Sequence, residues 1–166
     1  GLVCTAWILQ TKGPQNRSQL IQHMARMMTG DVDHERLLDC LQNGIGLVGV
    51  YGYQNGDLIA FRHLTFQEYL VAQYLAEEWR ADAKTTWQRI KPYTHRPQWL
   101  EPILLAGHLL DMQEATRLAQ LLLSAGSLYE RELRRNLQLA ARLIGDRVTL
   151  DESLEKQIID RLLQIS

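Results

Sequence analysis

Thiols, excess charge of either sign and long apolar runs are all scarce in this 166-residue chain, and each shortage excludes something. The two cysteines, Cys4 and Cys40, are far apart and give no disulfide framework; a reducing, cytoplasmic setting fits them. No apolar run approaches the ~20 residues needed to cross a bilayer. Leu2 to Leu9 is too short for that and lacks the basic flank of a signal peptide. A formal net charge of −1 supplies no electrostatic reason to bind nucleic acid or an acidic membrane. The five histidines are scattered without an H-E-x-x-H pattern, and the cysteines lack metal-ligand spacing, so no metal site is expected. There is no G-x-S-x-G elbow and no G-x-x-x-x-G-K-S/T phosphate loop. No catalytic residue is therefore assigned, and the chain by itself is not expected to hydrolyse ATP.

What is present is enough apolar material for a core, 46% of residues, with 22% charged. The length suits one or two compact domains. The chain begins abruptly in an apolar stretch, which suggests a piece of a larger protein. Residues 2–10 read as the tail of a helix, broken by Lys12-Gly13-Pro14. Leu20, Ile21, Met24, Met27 and Met28 then recur at helical spacing, with Gly30 as the cap. The methionines share a stripe with the other apolar residues and read as core, not as metal or haem ligands. A second helix, capped by Asp31 or Asp33, presents Leu37, Leu38 and Leu41 and ends at Gly44.

Gly-Ile-Gly-Leu-Val-Gly at 44–49 matches the dinucleotide-binding pattern G-x-G-x-x-G. That fingerprint needs a strand before the glycines and a helix after them, and here the order is reversed. The strand reading rests on a hairpin, Leu47–Gln54 and Asp57–His63 about an Asn55-Gly56 turn. Setting Gln54 opposite Asp57 puts Tyr51 against Ala60, Val50 against Phe61 and Val48 against His63. Val48, Val50, Ile59, Phe61 and His63 then share one face, and Leu47, Tyr51, Tyr53, Leu58 and Arg62 take the other. Two helices, a hairpin wing and a return helix make a winged-helix arrangement. Such domains often dock on DNA, but the helix at about 33–43 offers Arg36 against Asp33, Glu35 and Asp39, and the hairpin tip carries Asp57.

After Trp79 the composition is wholly helical, with helices expected at about 82–91, 97–110, 112–125, 128–145 and 152–165. Pro97 suits a first turn, whereas Pro102 implies a start near Glu101 or a kink. Antiparallel pairs stacked like HEAT or armadillo repeats are expected. Arg131, Arg134, Arg135 and Arg142 lie near Glu130 and Glu132 and read as a solvated face. Trp79, Trp87 and Trp99 are expected to pack between the winged-helix core and the first helical pair.

The stretch Phe61-Arg62-His63-Leu64-Thr65-Phe66-Gln67-Glu68-Tyr69-Leu70-Val71-Ala72 joins the two halves. Thr65 and Glu68 have capping-box spacing, Leu64 and Tyr69 that of a hydrophobic staple. Apolar residues from Tyr69 to Ala76 cover most of the circumference, so a helix wrapped by other elements is expected. Gln67 and Glu68 read as helix-start residues. By spacing alone, His63 reads as a histidine that bonds a backbone carbonyl.

The same stretch resembles the end of the winged-helix domain in NACHT-type (STAND) signalling NTPases, which include NOD-like receptors and many bacterial defence proteins. The match is close over 61–75 and looser over about 18–60 and 82–166. The resemblance implies a mainly α fold: a winged-helix domain at 1–80 with one β-hairpin, then a HEAT- or armadillo-like region at 81–166. Residues 1–15 also admit a reading as the tail of a preceding helical domain. It implies that His63 contacts the β-phosphate of ADP in the intact protein. ADP or ATP and magnesium would be held by an upstream NACHT domain of the same chain. A protein or ligand trigger on the helical repeats, and oligomerisation on activation, belong to the same expectation. The alternative is a helical interaction scaffold with no nucleotide dependence.

Overall fold

Apolar residues dominate Leu2–Lys12, which forms α1 and buries Ala6, Ile8 and Leu9 along with Thr5. Gly13, at φ 76°, closes it in a conformation that side chains other than glycine's resist. The computed structural model describes residues 1–53, 56–126 and 130–164, with backbone alone for Tyr53, Arg131 and Glu132. These residues are mainly helical with a two-stranded antiparallel sheet, and fall into two units, Gly1–Tyr74 and Leu75–Ser166.

In the first unit, Asn16 caps α2 (Arg17–Met27) by accepting the Gln19 N–H at 2.9 Å. Leu20 and Met24 are wholly buried, but Met27 is 39% exposed, so the methionine stripe is core only in part. Asp33 caps α3 (His34–Asp39) through the Arg36 N–H at 3.0 Å, and Leu38 and Leu41 are buried. The chain leaves α3 through a π-turn, Cys40–Gly44, in which the Ile45 N–H donates to the Cys40 carbonyl at 2.8 Å. A helix thus precedes the 44–49 glycines and a strand follows, the reverse of a dinucleotide-binding turn.

The hairpin consists of β1 (Val48–Tyr53) and β2 (Gly56–Phe61). Its register differs from the expected one. Val48 faces Phe61, Val50 faces Ile59 and Tyr53 faces Gly56, a slip of two residues. A slip of two keeps every side chain on its face, so the apolar pattern cannot distinguish the two registers. Asn55 and Gln54 lie outside the described residues. Val48, Ile59 and Phe61 are buried as their face requires, whereas Val50, nearer the tip, is 44% exposed. On its other edge, β2 exchanges two backbone hydrogen bonds with Gln15, at 3.2 and 2.7 Å.

The chain enters the second unit along α4 (Leu64–Ile90), which breaks at Asp82 (φ −155°, ψ 92°). Asp82 restarts it: its carboxylate accepts the N–H groups of Lys84 and Thr85 at 3.0 and 3.1 Å and the Thr85 hydroxyl at 2.6 Å. Arg89 and Glu78, on opposite sides of the break, are 2.7 Å apart. The helix expected over 97–110 begins at Leu100, next to the Glu101 start that Pro102 implied, after a 3₁₀ turn at Pro97–Trp99. Pro102 then lies in the first turn of α5 (Leu100–Leu109), where its missing N–H would have had no partner, and no kink is needed.

A capping box opens α6 (Met112–Leu123): Asp111 accepts the Glu114 N–H at 2.8 Å, and Glu114 accepts the Asp111 N–H at 3.0 Å. Arg80 donates to the Leu109 carbonyl beside it. The single helix expected over 128–145 is two, α7 (Glu130–Leu133) and α8 (Arg135–Gly145), split by Arg134 in the left-handed conformation. The Glu130 carboxylate then caps α8, accepting the Asn136 N–H at 3.0 Å. Asp151 caps α9 (Glu152–Leu163). Trp79, Trp87 and Trp99 are all buried, with Ile103, Leu118, Leu122, Leu143 and Ile158. Among the described residues, no helix is long and apolar enough to cross a membrane.

Candidate functional site

The site begins where β2 ends. Because the ladder closes with Val48 opposite Phe61, Arg62 and His63 are already outside it. Arg62 still reaches back, its N–H donating to the Leu47 carbonyl at 2.9 Å and its Nε to the Val48 carbonyl at 3.4 Å. His63 does not continue the buried face. It is exposed, two residues beyond the strand, and its carbonyl accepts the Phe66 N–H at 3.2 Å as α4 starts. Among the described residues its ring meets the edge of Phe66, with centroids 6.0 Å apart and planes at 66°, and no hydrogen bond holds it. The backbone-carbonyl bond expected from spacing alone is therefore absent there.

The helix opens at Leu64, so Thr65 stands inside the first turn and not at the capping position. The expected capping box does not form at Thr65; reciprocal capping of that kind occurs at Asp111 and Glu114. The two staple positions are largely in solvent, Leu64 57% and Tyr69 44% exposed. Phe66, 52% exposed, joins them. One face of α4 is buried through Gln67, Val71, Ala72 and Leu75, while the other carries Phe66, which meets His63, and Tyr69 in solvent. The helix is thus not wrapped on all sides.

Gln67, expected to be a helix-start residue, is buried. Its Nε2 donates to the side-chain oxygen of Gln10 at 2.5 Å, tying the start of α4 to α1. Trp7 and Tyr74 meet two turns further on in a tilted ring contact, with centroids 4.8 Å apart and planes at 45°. The motif's residues therefore divide by role. Phe61, Gln67, Val71 and Ala72 hold the junction to the unit's core, and His63, Leu64, Phe66 and Tyr69 face outward. Among the described residues, no group of three His, Cys, Asp or Glu side chains is placed to hold a metal ion.

Comparison with family models, with curated proteins and with solved structures finds no match to this chain.

Proposed function

We propose that the chain is the regulatory part of a NACHT-type signalling NTPase, a winged-helix domain followed by the first helices of a HEAT- or armadillo-like region. In this reading His63 contacts the β-phosphate of ADP held by an upstream nucleotide-binding domain, and that contact keeps the protein at rest. The observation that carries the reading is the motif at the strand-to-helix junction, with its histidine exposed and its ring free of hydrogen bonds among the described residues. An imidazole N–H held there has a donor to offer, and a charge-assisted bond to a phosphate oxygen is worth ~1.5–3 kcal/mol. The exposed Leu64, Phe66 and Tyr69 give the same corner an apolar surface on which a neighbouring domain would pack.

The element order supports the winged-helix part. Helix, bridging segment at Gln15, two helices, then a hairpin whose second strand pairs with that segment, is the order such a domain takes. The shortage of free cations on α3 supports a protein role over DNA docking, since Arg36 stands alone against Asp33, Glu35 and Asp39, and nearby Arg17 is paired with Asp39 at 2.7 Å.

A γ-phosphate would crowd the space beside the β-phosphate, so ATP would favour release. The switch then rests on a differential affinity for two states. The test is His63→Leu in the intact protein. Faster loss of bound ADP and signalling without the trigger are expected. ADP retention and silence equal to wild type would overturn the reading and favour a scaffold with no nucleotide dependence.

A further inference from the structure

We propose that the second unit carries a binding cleft for a small phosphorylated molecule, formed by Arg96, Arg135 and Arg142. The inference is independent of the nucleotide switch and uses no residue of the motif. The cleft has a volume of about 270 Å³ and lies between the segment before α5 and one face of α8. Arg135, Leu139 and Arg142 follow one another at four and three residues along α8, so they share a face. Arg96 comes from the 3₁₀ turn region, and Leu100 joins Leu139 as the apolar part of the lining.

Three cations converge here, and no carboxylate is among the described residues lining the cleft. Nor does any of the three form an ion pair among the described residues. Like charges that line one cleft with no carboxylate between them repel, and a bound anion relieves that repulsion. Two of the guanidinium groups are already held in place. Arg135 Nη2 donates to the His95 carbonyl at 2.9 Å, which leaves its remaining donors unspent. Arg96 lies 4.9 Å from the centre of the Tyr93 ring, which in turn stacks on the buried Trp99 at 4.7 Å and 16°. Less ordering is then required when a ligand arrives.

The side chain of His95 adds a second sign. Its Nε2 is out of solvent with no hydrogen-bond partner among the described residues, in a residue that lines both this cleft and an adjoining one of about 260 Å³ that contains Lys91. A buried polar atom without a partner is what a ligand or a bound water satisfies.

The charge count selects the ligand class. A phosphate monoester brings about −1.5 to −2 on one compact group at neutral pH, with three acceptor oxygens. A single carboxylate brings half that. Guanidinium groups match phosphate in fork geometry as well as in charge. The volume lies just under the ~300 Å³ at which drug-sized pockets begin. It suits a phosphate or diphosphate on a small body such as a sugar.

Calorimetric titration of the 166-residue chain at low ionic strength tests the assignment, with inorganic phosphate, pyrophosphate, a hexose phosphate and citrate as probes. At least one phosphate probe is expected to bind saturably with Kd below about 1 mM. The free ions and the sugar phosphate distinguish whether the phosphate alone or its body is recognised. Arg142→Gln and Arg96→Gln are each expected to weaken binding at least tenfold with an unchanged circular-dichroism spectrum. Arg161→Gln on α9, outside the cleft, should leave it unchanged. No saturable binding of any phosphate probe would overturn the proposal. So would binding that survives both Arg142→Gln and Arg96→Gln, or citrate binding as tightly as the best phosphate probe.

Discussion

Replacing Gln67 with leucine isolates the contact that anchors the motif. Gln67 and Gln10 are 9% and 6% exposed, and a single amide-to-amide hydrogen bond joins them across α1 and α4. Such a bond contributes ~0.5–1.5 kcal/mol net. Gln67→Leu removes it, while its methyl groups recover part of the loss by apolar burial. A net destabilisation of ~1 kcal/mol is expected. If the Gly1–Tyr74 unit melts separately, that corresponds to a fall in Tm of ~4–8 °C for a domain of that size.

Urea unfolding followed by far-UV circular dichroism measures the loss, and a double-mutant cycle assigns it. Removing both amides, in Gln10→Leu with Gln67→Leu, should cost less than the sum of the two single losses, because the second change no longer breaks the bond between them. The coupling should lie in the range ~0.5–3 kcal/mol found for residues in contact. A single variant as stable as wild type, or a double variant that shows only the sum of the two losses, would refute the clasp.

Gly107 packs against α8 closely enough that an added Cβ would sit 3.0 Å from Leu143 and 3.2 Å from Val148. Gly107→Ala gains up to ~1 kcal/mol of helix propensity but meets ~1–3 kcal/mol of overpacking, so a small net loss in urea is expected, and a gain would contradict it. The Thr85 hydroxyl and N–H hold the Asp82 carboxyl below its ordinary 3.8, so its contribution is present above that pH and is lost as pH falls through the lower folded value. The urea midpoints of wild type and Asp82→Asn should therefore differ above pH 3.8 and converge below it; a constant gap would exclude the linkage. Burial raises the Cys4 thiol above 9.0, with the nearby amino terminus opposing, while Cys40 is exposed. A thiol-reactive disulfide should label Cys40 first, and equal rates in Cys4→Ser and Cys40→Ser would contradict this.

Most helices were legible from caps and periodicity, although α2 ends at Met27, with Met28 and not Gly30 at its C-cap. Asp33, Gly13 and Gly44 sit at helix ends as their chemistry requires, and Leu38 and Leu41 are buried as the stripe of α3 predicts. Long-range contacts were not legible. The hairpin register depends on which two residues make the turn, and the apolar pattern is blind to a shift of two. Arg134 carries no sequence mark of a left-handed break, so the 128–145 helix read as continuous. The spacing of Arg135 and Arg142 did place them on one face. What turned a solvated face into a cleft was Arg96, some forty residues earlier, which local reading cannot bring into contact.

The register error and the misreading of α4 have one physical source, and it bears on His63. A two-residue slip changes no side chain's face within a ladder, but it changes where the ladder ends. With Val48 opposite His63, the imidazole would be the last inward residue of a sheet. With Val48 opposite Phe61, it becomes a linker residue with nothing of the sheet above it. The helix that follows is apolar on most of its circumference, yet burial covers the side of Gln67, Val71, Ala72, Leu75 and Ala76 and leaves Phe66 and Tyr69 exposed. Composition reports how much apolar surface a helix has, not how many partners cover it. Phe66 and Tyr69 are the surplus, and Phe66 lies against the histidine that the register left outside. An inward His63 would have been a packing residue, with substitution felt first in stability. An outward His63 beside uncovered aromatic surface has little to hold in its own unit, so His63→Leu should leave the urea midpoint of this chain unchanged. A large loss of stability in that variant would mean that the ring is packed after all, and the proposed nucleotide contact would lose the accessible donor on which it depends.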